Sequence, residues 1–121
     1  MKQEDFNELF RKRTQKLALE IIRLVSPIKY SDAVSTLRKQ LIKACTSAAS
    51  NFRAVCRARS EREKYSKLCI VVEEADETVF WLEMFVEGEF LSGQQCSWVN
   101  QESQEILNVM SAYRKRLSTS V

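Results

Sequence analysis

Between Tyr65 and Val86 the apolar positions Tyr65, Leu68, Val72, Ala75, Val79, Leu82 and Val86 recur at alternating steps of three and four residues. All seven therefore fall on one helical face, and the stripe predicts a core-facing helix over about 61–87. Ser60 with Glu63 fits a capping box at its start, the hydroxyl accepting the Glu63 amide and the carboxylate reaching back to the Ser60 amide. Gly88 offers its stop. The stretch before it repeats the spacing at Val34, Leu37, Leu41, Cys45, Ala48, Phe52 and Val55, with Ile42, Ala49 and Cys56 widening the stripe. This predicts a helix over about 32–58 that Ser31 or Asp32 caps. Two such faces joined by the short basic corner Arg57-Ala58-Arg59-Ser60 pack antiparallel.

Two further helices flank this hairpin. One runs over about 4–25, with Phe6, Phe10, Leu17, Ile21, Leu24 and Val25 inward, and Ser26-Pro27 ends it because proline lacks the amide a helix needs. A loop from Phe90 to Ser97, pinned by Phe90 and Leu91, leads to the other, over about 97–117, whose inward face is Val99, Ile106, Val109, Met110, Tyr113 and Leu117. Arg114, Lys115 and Arg116 suit the negative end of its dipole, and Ser118 to Val121 read as a frayed end. Short connections make neighbours antiparallel. The reading is an all-α, antiparallel up-and-down four-helix bundle, one domain over residues 1–121.

Composition changes this picture mainly by exclusion. Two glycines and one proline in 121 residues leave too few breakpoints for a many-turned sheet protein. No apolar run approaches the roughly 18 residues that span a bilayer, and Met1 to Asp5 lack an apolar signal region. A cytoplasmic protein without membrane contact is expected. Cys45, Cys56, Cys69 and Cys96 match neither a zinc pattern nor a dense disulfide framework, and read as small buried hydrophobes. Histidine is absent, which excludes His-dependent triads, His-Cys zinc sites and Glu-x-x-His di-iron bundles. Glu73 and Glu77 share a face as metal ligands would, but no second carboxylate cluster lies opposite them; reflecting one helix on the other sets Lys43 and Lys39 opposite Glu74 to Asp76 and Val79, so cross-helix ion pairs are the expected use of this acidic block. No enzyme, metal or cofactor is expected.

The charge is divided unevenly along the chain. Residues 1–67 carry 16 Lys/Arg against 7 Asp/Glu, and residues 68–121 carry 3 against 9. Cross-helix pairing would absorb much of that contrast. What remains would mark a nucleic-acid surface, because arginine forks bond phosphate oxygens bidentately and a basic edge needs no sequence-reading motif. The candidates are Arg53, Arg57, Arg59 and Arg62 at the corner, and Arg11, Lys12, Arg13 and Lys16 as a second patch. Phe80, Trp81, Met84 and Phe85 give the third helix more apolar surface than one bundle buries, and are read as an oligomer interface. The small-residue run Ala44 to Ser50 serves as core or as subunit contact. The competing reading is a protein-binding scaffold whose basic residues only keep it soluble.

The hairpin also resembles the 23S rRNA intervening-sequence protein family. The resemblance lies in Leu37, Gln40-Leu41 and Lys43-Ala44 before the small-residue segment, in Ser50-Asn51, and in Arg59-Ser60 with Glu63. It continues through Leu68 and Ile70 into Glu73-Glu74-Ala75-Asp76-Glu77 and Trp81-Leu82. Many members read Asn-Ile-Ala-Glu-Gly where this chain has Asn51-Phe52-Arg53-Ala54-Val55, so no role tied to that Glu or Gly carries over. The resemblance implies an antiparallel four-helix bundle that assembles as a homopentameric ring. The accessory variability determinants of diversity-generating retroelements are similar in fold and bind nucleic acid, which implies RNA or DNA as a partner here.

Overall fold

The computed structural model describes residues 1–121. Four helices follow one another: α1 (Gln3–Val25), α2 (Asp32–Cys56), α3 (Glu61–Glu87) and α4 (Ser97–Leu117), with a single exposed 3-10 turn over Ser118–Ser120 after the last. α1 packs on α2, α2 on α3 and α3 on α4, and a thinner seam returns α4 to α1. This is an up-and-down antiparallel bundle with α1 and α3 on one diagonal. No helix is long and apolar enough to cross a membrane.

The apolar stripes meet along the bundle axis. Ile21 from α1, Leu41 and Phe52 from α2, Leu68, Leu82 and Phe85 from α3, and Ile106 and Met110 from α4 are all essentially fully buried. Each such side chain contributes about 1.5–3 kcal/mol of burial free energy. Phe6 ties the corner end together, packing at 4.8 Å on Phe10 and meeting Tyr113 edge-on at 5.3 Å. The buried hydroxyls of Thr14, Thr78 and Ser103 donate to carbonyls of their own helices, those of Arg11, Glu74 and Asn100. None of the three is left unsatisfied.

The helix ends show what sequence spacing alone leaves open. Ser31 and Ser60 are both extended, and their Oγ atoms accept the amides of Val34 at 3.1 Å and Glu63 at 3.0 Å. The capping box at Ser60 is only half formed, because the Glu63 carboxylate turns to the guanidinium of Arg59 at 3.8 Å. α1 ends before Pro27, and another helix holds its end: Arg38 Nη1 donates to the oxygen of its last residue Val25 at 3.0 Å and to that of Ile28 in the following connection at 3.1 Å. At the end of α3, Gly88 stays in the right-handed region, and the positive φ of 63° falls on Glu89. Gly88 serves by size instead: a Cβ there would come within 2.7 Å of the Phe90 ring and 2.9 Å of the Met84 oxygen. That close turn sets Leu91 into the core, from which the chain enters α4.

Candidate functional site

The corner between α2 and α3 carries the densest group of free cations. α2 stops at Cys56, so Arg57 leaves the helix and Arg59 stands on the turn, while Arg62 sits in the first turn of α3. Arg59 pairs weakly with Glu63, at 3.8 Å and with its side chain 90% exposed. Lys64 pairs with Glu61 at 3.2 Å. Arg53, Arg57 and Arg62 have no carboxylate within 4.0 Å. Their guanidinium forks are therefore free to meet an anion, and the site is the exposed end of the bundle.

The second basic patch is dispersed by the helix that carries it. Arg13 points to α4 and is withdrawn from any surface role. Its Nη2 and Nε grip the two oxygens of Glu102 at 2.6 and 3.0 Å, Nη2 reaches Glu105 at 3.0 Å, and the guanidinium lies 4.7 Å from the Phe10 centroid. The Glu102 hydrogen bonds hold this guanidinium more firmly protonated than usual, against the opposing effect of burial. Lys12 pairs one turn back with Glu8 at 3.1 Å, and Lys16 places its ammonium 5.2 Å from the centre of the Trp98 ring. Arg11 turns instead toward α2. There it lines an open groove of about 380 Å³ with Arg53, together with Ala18, Leu19, Ile22, Thr46 and Ala49. The groove thus joins one residue of each predicted patch.

The expected hairpin ion pairs do not form. Lys39 and Lys43 have no carboxylate within 4.0 Å, and Arg13 makes the only ion pairs between helices; every other pair is one turn apart in sequence. Glu74 consequently has a raised pKa: burial comes first, then repulsion from and a shared hydrogen bond with Glu77, with only the field of Lys43 acting the other way. The acidic outer face of α3 and the basic faces of α1 and α2 remain largely uncompensated. No group of three or more Cys, Asp or Glu side chains converges as metal ligands would.

The surplus apolar set divides in two. Phe85 has no exposed surface and belongs to the core, which removes it from the predicted interface. Phe80 and Met84 are 47% and 37% exposed on the outward side of α3. Trp81 is half-buried beside Phe80, the two rings edge-to-face at 4.8 Å, and its indole Nε1 is buried without a hydrogen-bond partner. Leu19 and Trp98, which the helical stripes did not single out, are 45% and 44% exposed. They could have been found as large apolar residues on polar faces of their helices.

The profile of the 23S rRNA-intervening sequence protein family matches residues 8–112. Among solved structures, the chain is similar to a protein of unknown function from the S23 ribosomal protein family of Bacteroides thetaiotaomicron, at 26% identity and a TM-score of 0.81. The similarity covers 90% of this chain and 97% of that one. No curated protein matches.

Proposed function

The chain belongs to the 23S rRNA-intervening sequence protein family, and from that premise we propose that it is a non-enzymatic cytoplasmic protein that assembles and binds structured RNA or DNA. The observation that carries the reading is the set of unpaired guanidinium groups at the corner, Arg57 and Arg62 with Arg53 behind them, beside the weakly held Arg59. Desolvating such groups against phosphate forms short, charge-assisted, often bidentate bonds. The family's name ties it to 23S rRNA, a polyanion for which such an edge is suited. Assembly is the role proposed for Phe80 and Met84, with Trp81 beneath them, and a homopentameric ring is the form the family resemblance implies. A mass of 14.1 kDa in solution would refute that ring.

Fluorescence anisotropy with a structured RNA and a DNA duplex across a salt series tests the nucleic-acid role. Log affinity is expected to fall linearly with log salt, with a slope near 0.9 per phosphate neutralised on a duplex. The variant R57Q/R59Q/R62Q should bind more weakly and lower that slope by about one for each phosphate it no longer neutralises. Affinity unchanged in this variant would overturn the assignment. No binding by the parent even at low salt would leave a protein-binding scaffold, for which Phe80 and Met84 are the exposed anchors.

A further inference from the structure

We infer that the outward face of α3 in one copy docks into the α1–α2 groove of a second copy, a head-to-tail contact between two different surfaces. The inference rests on the assembly reading above and names the surface that receives Phe80 and Met84.

Three observations pair the two surfaces. The α3 face presents Phe80 and Met84 as an exposed apolar ridge, and the groove presents an apolar floor of small and aliphatic groups, Ala18, Ile22 and Ala49, with Leu19 45% exposed at its edge. The ridge stands out from its helix and the groove is recessed between two helices, so each has a shape the other lacks. Their charges are opposite. Glu73, Asp76, Glu77, Glu83 and Glu87 surround the ridge, and no Lys or Arg occurs between Lys67 and Arg114. The groove is lined by Arg11 and Arg53 and by no acid. The spacings agree as well: Asp76 and Glu77 stand one turn from Phe80, as Arg53 stands one turn from Ala49. Phe80 seated over Ala49 with α3 running antiparallel to α2 therefore sets those carboxylates level with Arg53 and Arg11, whose own helices give them no partner.

The two surfaces lie on α3 and on α1–α2, with α1 and α3 on a diagonal of the bundle, so they do not form one self-complementary patch. A contact of this kind is heterologous rather than two-fold: it repeats from copy to copy, as a ring where the rotation between copies closes and as an open filament where it does not. Arg57, Arg59 and Arg62 lie beyond the groove's end and stay free of it, while Arg53 stands at the margin of both surfaces.

Mass measurement by light scattering on two surface variants tests the pairing. F80E/M84E removes the ridge, and L19E/T46E places two acids in the groove at exposed positions that leave the core untouched. Each variant alone should run as a monomer of helical content equal to the parent. An equimolar mixture should give a complex of one copy of each, because one intact ridge still finds one intact groove. If the parent assembles and L19E/T46E assembles like it, the groove is not the receiving surface and the inference falls while assembly stands. If both variants are monomeric and mixing them restores nothing, the ridge does not dock in the groove, which also overturns it. A parent that is itself monomeric overturns the assembly reading and the inference together.

Discussion

The Cys45 thiol sits at 2% exposure among α2 core residues, and burial pushes its pKa up to about 12. A thiol reacts as its thiolate, so Cys45 is chemically silent in the folded chain. Cys96, with no exposed surface and a pKa also raised by burial, behaves the same way. Alkylation at pH 8 followed by peptide mass analysis should modify the half-buried Cys69 well ahead of Cys45 and Cys96, which should react only on denaturation. Rapid native modification of Cys45 would contradict the burial. Glu74 gives a second residue-scale expectation with a definite sign. Its folded pKa lies above the ordinary 4.5, chiefly through burial, so it lowers stability once ionised. Stability is then highest below the ordinary carboxylate pKa and falls as pH rises through the raised one. Glu74→Gln should raise the melting temperature at pH 7, and the difference should shrink as the pH is taken below about 4.5, where both forms are neutral.

At the scale of the helix, what spacing could show and what it could not separate cleanly. The stripes are a periodic property of neighbouring residues, and they place Leu41, Phe52, Leu68 and Leu82 in the core without knowledge of the partner. The caps at Ser31 and Ser60 are equally local. Ser60→Ala should cost about 1 kcal/mol in a denaturant titration, and Glu63→Ala distinctly less, because the Glu63 carboxylate does not close the capping box. Equal losses would show that the box closes in solution. By contrast, Arg38 closes α1 from a different helix, and Gly88 is needed for the ring of Phe90 two residues on. Both depend on a packing that no local pattern encodes. The basic run on α1 misleads for a related reason: adjacent residues turn by about 100° on a helix, so Arg11, Arg13 and Lys16 face different neighbours. Only the position of Glu102 on α4 decides that Arg13 is consumed.

Across the whole molecule, charge and cohesion are distributed along different lines. The basic and acidic halves are plain in the sequence, but whether they cancel depends on side-chain reach across the hairpin, and Lys39 and Lys43 leave the α3 acids unpaired. The fold closes instead at its thinnest seam, between α1 and α4, where Arg13 bridges Glu102 and Glu105. The Arg13 and Glu102 side chains are 22% and 12% exposed, which places their bidentate pair among charged hydrogen bonds worth roughly 1.5–3 kcal/mol. Glu102→Gln removes the charge and keeps the volume, leaving Arg13 with Glu105 alone. Since α2 and α3 share the most extensive packing in the bundle, losing this clasp should free α1 before it loosens the central hairpin. Native-state hydrogen exchange should then show faster exchange through the middle of α1 and the facing turns of α4, with α2 and α3 close to their parent rates. Uniform acceleration across all four helices would mean that the bundle opens only as one unit, and that the α1–α4 seam has no separate stability for Arg13 to hold.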